Sequence, residues 1–162
     1  MSVAFRRETD EEHLEPKFEL PIPAGPNLVT ARGLSLIKSR IADLEARLDE
    51  LVEEAARAAI MRDLRYWYTR QITAEVVPTP AGDKVELGVQ VRIMLNGAPK
   101  TFEIVGDDEA APATGLISFK APLSQAMLGA EVGEVLPFAG AREALEILEI
   151  SVTDEPSAEQ ST

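Results

Sequence analysis

Carboxylates are the side chains in this sequence whose grouping could do chemistry. Two groups stand out: Asp49, Glu50, Glu53 and Glu54, and the consecutive residues Asp107, Asp108 and Glu109. Carboxylate oxygens suit Mg²⁺, so an acidic group could assist a metal ion that other ligands also hold. The chain has no Cys, which excludes thiolate chemistry. Its single histidine, His13, lies in a polar, proline-containing segment, so no histidine triad or histidine metal site is expected.

The formal net charge of −12 argues against direct DNA binding, because phosphate contacts depend on clustered Lys and Arg. An acidic chain is better suited to meet a basic protein surface. No apolar run approaches the roughly 20 residues that cross a bilayer, and the N-terminus lacks the apolar segment of a signal peptide. We therefore expect a cytoplasmic protein that does not contact membranes.

A heptad pattern follows Thr30, which is a credible helix N-cap. Its apolar positions alternate in steps of three and four: Leu34, Ile37, Ile41, Leu44, Leu48, Leu51 and Ala55. Further along, the apolar residues shift to a different phase: Ile60, Leu64, Trp67, Tyr68 and Ile72. Either one long helix carries a stutter, or the chain reverses between about Leu51 and Ala58 and a second helix packs on the first. No Gly or Pro marks such a reversal.

The second half of the chain has the period of β-strands. Apolar residues alternate with polar ones from Val85 to Leu95, and Asn96-Gly97 is the favoured pair for a two-residue hairpin turn. Short strands are predicted at Leu116 to Phe119 and Glu134 to Phe138, with a last strand from Arg142 to Ser151. Pro122 and Gly129 bracket a very short helix between them. These elements predict an antiparallel sheet around one helix, and a fragment from Lys84 to Ser151 is expected to fold by itself.

At this point the residues resemble a family. The matching positions are Ile104-Val105-Gly106, Asp108-Glu109-Ala110, Gly115, Ile117-Ser118, Pro122-Leu123, Ala126, Leu128-Gly129 and Val132-Gly133. This series is similar to the C-terminal, FKBP-like domain of bacterial Gre transcript-cleavage factors. One departure is Ala121, where the family usually has Ser before the Pro-Leu pair. The family also has an N-terminal antiparallel helical hairpin, and Arg62 to Trp67 resembles its returning helix, which favours the hairpin over the single helix.

The resemblance implies an α+β fold in which an antiparallel coiled-coil hairpin precedes an FKBP-like antiparallel sheet with one short helix. The predicted divisions are a disordered tail at 1–26, the hairpin at 27–77, a linker at 78–84, the FKBP-like domain at 85–152 and a second disordered tail at 153–162. Fold analogy alone also raises a peptidyl-prolyl isomerase. An isomerase pocket needs an aromatic lining, however, and this domain offers only Phe102, Phe119 and Phe138.

The resemblance further implies a partner, core RNA polymerase. Gre factors enter its secondary channel, with the globular domain at the rim and the hairpin pointing at the active site. The expected rim contacts are Asp108, Glu109, Pro112 and Pro122. The expected hairpin tip carries the four acidic residues from Asp49 to Glu54. In the family, an acidic pair at the tip helps to hold Mg²⁺ and to activate water for RNA cleavage.

The family's tip signature, an acidic pair around Leu-Ser followed by Asn, is absent from this sequence. A hairpin leg from Thr30 to about Val52 would also span only roughly 33 Å, and the family's legs are longer. We therefore expect an RNA polymerase regulator of the Rnk or anti-Gre kind, without efficient cleavage, not itself an enzyme, and with no catalytic residue or cofactor of its own. The alternatives are an active cleavage factor that uses the tip carboxylates on polymerase-bound Mg²⁺, and a solvated, inert tip.

Overall fold

The computed structural model describes residues 19–152, so His13 and the two predicted tails up to residue 18 and from residue 153 lie outside the described residues. The elements in chain order are β1 (Leu28–Val29), α1 (Ala31–Glu50), α2 (Glu54–Thr73), β2 (Glu75–Val76), β3 (Val89–Leu95), β4 (Ala98–Val105), a 3₁₀ turn (Pro112–Thr114), β5 (Leu116–Ser118), α3 (Pro122–Met127), β6 (Val135–Phe138) and β7 (Ala141–Val152). The described chain forms two compact units. The hairpin unit comprises residues 19–25 and 37–73, and the sheet unit comprises residues 26–36 and 74–152.

The hairpin unit confirms the predicted reversal. Helix α1 ends at Glu50 and α2 begins at Glu54, inside the window expected from the loss of the heptad seam. Contacts between the helices run in opposite directions along them, because Arg57 bonds to Leu48 near the turn while Arg40 lies over Trp67 farther away. The helices are therefore antiparallel, and the single long helix is excluded.

The buried faces of the two helices follow the sequence pattern only in part. Ile37, Ile41 and Leu44 of α1 are buried, as are Ile60 and Leu64 of α2. Farther along α2, however, Ile72 is 80% exposed, and Tyr68 is partly exposed with its hydroxyl donating to Glu45 Oε2 at 2.5 Å. The apolar positions expected to continue the seam to Ile72 thus leave it after Trp67, which is half-buried.

The sheet unit is built on a five-stranded sheet in the order β5-β4-β3-β7-β6. Its buried core is made by side chains from the strands, from α3 and from their connections: Val85, Val89, Val91, Ile93, Ile104, Ile117, Met127, Ala130, Leu145 and Ile147. Neighbouring strands are antiparallel except β4 and β5, which pair in parallel from Glu103↔Leu116 to Val105↔Ser118. The expectation of an antiparallel sheet is corrected to a mixed one. A parallel neighbour needs a crossover connection, here the acidic loop and the 3₁₀ turn, and alternation in the sequence does not report strand direction.

The hairpin turn predicted at Asn96-Gly97 is confirmed. Both residues have positive φ, 50° and 84°, as the two central positions of a type I′ turn require. The strand before it starts at Val89, not at Val85. Val85 is instead bonded to the end of α3, since its amide donates to the Ala130 carbonyl and its own carbonyl accepts from Gly129.

A second, two-stranded sheet was not predicted. Strands β1 and β2 pair in parallel, with Leu28 opposite Glu75 and Val29 opposite Val76. The residues that immediately precede α1 and follow α2 therefore meet inside the sheet unit. Strands β1 and β2 and the first turn of α1 belong to the sheet unit. The domain boundaries predicted at residues 77–85 stay predictions.

Candidate partner-binding site

The acidic loop after β4 is held very close to the chain at β1. A Cβ atom on Gly106 would lie 2.4 Å from the Leu28 carbonyl oxygen, nearer than atoms can approach. Within the loop, the Glu109 amide donates to the Gly106 carbonyl and the Ala110 amide to the Asp107 carbonyl, at 3.3 and 3.4 Å. Gly106 is thus needed for close approach, and the loop turns back directly after it.

The first carboxylate of the loop is bound by residues at the end of β5. Ser118 Oγ donates to Asp107 Oδ1 at 2.7 Å, and Lys120 Nζ lies 2.8 Å from Asp107 Oδ2. The Lys120 amide in turn donates to Ser118 Oγ at 3.0 Å. These bonds bring the start of α3, with exposed Pro122 in its first turn, next to the acidic loop.

The third carboxylate is buried, which the sequence did not indicate. The Glu109 side chain is 7% exposed. Its Oε1 accepts from Thr30 Oγ1 at 2.7 Å, and its Oε2 accepts from Arg32 Nε at 2.6 Å. Arg32 Nη2 also pairs with Glu103 on β4. Glu109 was expected as a rim contact, and the structure already engages both of its oxygens within the sheet unit.

The charge on Arg32 is secured by this arrangement. Partial burial alone would lower the pKa of the guanidinium, but its hydrogen bonds to Glu103 and Glu109 outweigh that effect and raise the pKa above the ordinary value. Arg32 therefore remains a cation wherever the fold is stable. Two carboxylates share this one partly exposed cation.

The remaining predicted rim residues lie at or near the surface of the sheet unit. Asp108 is half-buried between Asp107 and Glu109, whereas Pro112 is exposed at the start of the 3₁₀ turn. Asp108 and Pro112 are four residues apart in the chain. Pro122 follows Lys120 by two residues, and Lys120 forms an ion pair with Asp107 of the loop. The role of these residues as rim contacts stays a prediction.

All four predicted tip carboxylates are exposed. They lie at the end of α1, in the connection and at the start of α2, so the tip position is as expected. Glu53 has a structural task, because its Oε1 accepts the Ala56 amide at 3.0 Å as an N-cap of α2. Between the acids, Val52 is 92% exposed.

Arg57 makes the turn at the tip, and the sequence analysis missed it. Its Nη1 donates to the Leu48 carbonyl at 2.8 Å and to the Leu51 carbonyl at 3.1 Å. Leu48 lies in the last turn of α1, where its carbonyl also accepts the Leu51 amide at 3.2 Å, and Leu51 is the first residue of the connection. The guanidinium replaces the Gly cap that the sequence lacks. In the sequence, the only indication of this cap is a basic residue shortly after the end of the first heptad pattern.

No group of three or more His, Cys, Asp or Glu side chains in residues 19–152 is arranged to hold a metal ion. In the same part of the chain, no helix is long and apolar enough to cross a membrane. The three aromatic residues considered for an isomerase pocket, Phe102, Phe119 and Phe138, are partly buried and pack against the sheet core.

The family model described as "Transcription elongation factor, GreA/GreB, C-term" matches residues 79–152, which contain the whole five-stranded sheet and the acidic loop. Residues 79–152 therefore form a GreA/GreB C-terminal domain. Curated Gre relatives named transcription elongation factor GreA include that of Rhizobium leguminosarum bv. trifolii, 34% identical over 111 residues, which are 66% of this chain and 61% of the relative. That of Desulfovibrio desulfuricans is 29% identical over 130 residues, 65% of this chain and 80% of the relative.

Solved Gre structures are also similar. GreA factor homolog 1 of Thermus thermophilus aligns with a TM-score of 0.38 and 17% identity over 78% of this chain and 99% of that protein. GreA/GreB of Nitrosomonas europaea aligns with a TM-score of 0.36 and 19% identity over 79% and 99%. The chain spans 61% of the length of the rhizobial GreA relatives that it matches.

The expectation that this protein is not an enzyme is wrong. It conflicts with the name of the curated relatives, transcription elongation factor GreA, because that name belongs to the transcript-cleavage factors. A factor of this class is an accessory to RNA cleavage by the polymerase.

Proposed function

We propose that this protein is a transcription elongation factor that binds core RNA polymerase at the rim of the secondary channel through its sheet unit. The observation that carries the proposal is the family match over residues 79–152, which places the acidic loop within the matched GreA/GreB domain. The proposed contacts are Asp108 and Pro112 of the acidic loop, together with Pro122 beside it. Glu109 belongs to the same loop, but its carboxylate is bound by Thr30 and Arg32.

Electrostatics supports a basic protein partner. The chain carries a net charge of −12, and three consecutive carboxylates lie in one short loop. Lys120 and Arg32 offset part of that charge through their pairs with Asp107 and Glu109. Steering by the remaining negative charge would increase the association rate with a basic surface and would weaken as salt is added.

We further propose that the hairpin tip enters the channel and stimulates RNA cleavage only weakly. Helix α1 (Ala31–Glu50) and helix α2 (Glu54–Thr73) have 20 residues each, so each is roughly 30 Å long at 1.5 Å per residue. Of the tip acids, Glu53 is engaged as a cap, which leaves Asp49, Glu50 and Glu54 to face the polymerase. Mg²⁺ held by the polymerase would supply the Lewis acidity, and these side chains could contribute outer ligands.

The test uses the full chain and core RNA polymerase. A photo-crosslinker at Val52 should label polymerase residues that line the secondary channel, whereas one at exposed Lys84 should not label the channel interior. Failure to bind the core enzyme, or labelling elsewhere, would reject the docking proposal. Addition to a backtracked complex then measures cleavage. Strong cleavage that is lost in a variant carrying Asp49→Asn, Glu50→Gln and Glu54→Gln would establish the active cleavage factor instead.

A further inference from the structure

We propose that Arg32 and Glu109 are positioning residues that set the conformation of Asp108 for partner binding. This inference rests on the proposed function, in which Asp108 meets the polymerase. It assigns Glu109 a different role from the direct contact expected from the sequence. The cluster formed by Thr30, Arg32, Glu103 and Glu109 is called the root cluster below.

Asp108 lies between two residues whose side chains are bound by different parts of the sheet unit. On one side, Asp107 is held by Ser118 and Lys120 after β5. On the other side, Glu109 is held by Thr30 and Arg32 at the start of α1. Because both neighbours are fixed through their side chains, the backbone on each side of Asp108 is also fixed.

The root cluster is built into the first turn of α1. Thr30 caps the helix, since its Oγ1 accepts the Gly33 amide at 2.9 Å while its hydroxyl donates to Glu109. These two hydrogen bonds link the N-terminus of α1 to the acidic loop. Without the Glu109 carboxylate, Thr30 would still cap α1, but it would no longer bind the acidic loop.

Gly33 gives independent support for this close approach. A Cβ atom at this position would lie 2.9 Å from Glu109 Oε1. Gly33 therefore leaves room for the Glu109 carboxylate beside the first turn of α1, and a larger residue there would have to displace it.

A fixed loop increases affinity because less conformational freedom is lost on binding. Three adjacent carboxylates would otherwise repel one another and favour an open, variable loop. The cations Arg32 and Lys120 each bind one outer carboxylate and remove much of that repulsion. Asp108 is then presented in one arrangement to a basic partner.

The experiment compares Arg32→Gln and Glu109→Gln with a matched control, Arg92→Gln. Arg92 forms an exposed ion pair with Glu149 on the sheet at 3.2 Å, so the control also removes one cation and one pair. We expect Arg32→Gln and Glu109→Gln to weaken binding to core polymerase on the order of tenfold, and Arg92→Gln to leave it within about twofold. Arg32→Lys should restore little, because a Lys ammonium cannot bridge Glu103 and Glu109 as a planar guanidinium does.

Two readouts separate positioning from general destabilisation. In an Asp108→Asn background, Arg32→Gln should have little further effect on binding, since it acts through Asp108. In the free protein, amide hydrogen exchange at residues 107–109 should become faster in Arg32→Gln while exchange in β3 and β7 is unchanged. Equal loss of binding in both backgrounds, or unchanged exchange in the loop, would overturn the inference. Since exchange needs no polymerase, it tests the root cluster even if wild-type protein fails to bind.

Discussion

Arg57 and Leu48 are joined across the hairpin tip by a 2.8 Å bond from the guanidinium to the carbonyl oxygen. The same nitrogen also donates to the Leu51 carbonyl, so one side chain of α2 binds both the last turn of α1 and the connection that follows it. A three-residue connection without Gly or Pro is possible because these carbonyls have a donor from outside their own helix. The tip is thus a defined structure.

Replacing Arg57 should therefore destabilise the hairpin. We expect Arg57→Ala to lower the free energy of unfolding by about 1–2 kcal/mol, since two carbonyls lose a charged donor. Lys38→Ala, at an exposed position of α1, should change it by less than about 0.5 kcal/mol. Urea unfolding followed by helical circular dichroism measures both. Equal midpoints for the two variants would show that the Arg57 bonds do not stabilise the turn.

Asp108→Arg tests the docking loop. Placing a cation against a basic partner should weaken binding to core polymerase by about 2–5 kcal/mol if the contact is desolvated, and less if it is exposed. Stability should change by about 1 kcal/mol, because the residue is half-buried. The measurement is a titration against core polymerase at two salt concentrations.

Two variants with the same charge change serve as controls for that titration. Asp83→Arg alters an exposed residue before the sheet, and Glu54→Arg alters the hairpin tip. Both should affect binding less than Asp108→Arg if the loop is the anchor. Normal binding by Asp108→Arg together with loss by Glu54→Arg would make the hairpin the main recognition element.

The sheet unit should need the residues on both sides of the hairpin. A chain that joins residues 26–36 through a long Gly-Ser linker to residues 74–152 retains β1, β2 and the root cluster. A fragment of residues 84–152 removes the hydrogen bonds of Glu109 to Arg32 and Thr30, and exposes the surface that β1 covers. We expect the fragment to be less stable by on the order of 1–3 kcal/mol, discounted because Arg32 is 45% exposed. Thermal unfolding of the two chains measures this, and equal melting temperatures would contradict it.

The segment before β1 should respond to pH through Glu19. Arg65 Nε donates to both carboxylate oxygens at 3.0 Å and Nη2 donates to Oε2 at 2.7 Å, and these bonds lower the pKa of Glu19 below the ordinary 4.5. A carboxylate whose pKa is lowered in the folded state stabilises it above the unfolded pKa. That contribution is lost as pH falls through the lower folded pKa. The stabilising effect of Glu19 should thus disappear only in acid.

Carbon NMR of the Glu19 carboxyl group tests this sign. In the wild type it should titrate below 4.5, and Arg65→Gln should move its pKa upward toward that value. Arg65→Lys should give an intermediate pKa, because an ammonium retains the charge without the two parallel bonds. A wild-type pKa at or above 4.5 would show that the Glu19–Arg65 pair does not persist in solution.

Local pattern was enough to predict several elements. Thr30 caps α1, Asn96-Gly97 forms the predicted turn, and Pro122 opens the short helix where it was placed. Each depends on the conformation of one or two residues, so neighbours in sequence specify it. The reversal between α1 and α2 was also placed correctly, because the heptad seam loses its phase there.

Only the tertiary structure decided what the carboxylates do. Asp107, Asp108 and Glu109 have the same charge and are adjacent in sequence, yet Asp107 is bound by Lys120 and Glu109 is buried against Arg32. Charge and spacing identify a candidate site, but they do not report which residues come within hydrogen-bond distance, and Arg32 is 77 positions from Glu109 in sequence. The pairing of β1 with β2 and the direction of β5 were hidden for the same reason. These are long-range contacts, determined by how distant segments meet when the core is buried.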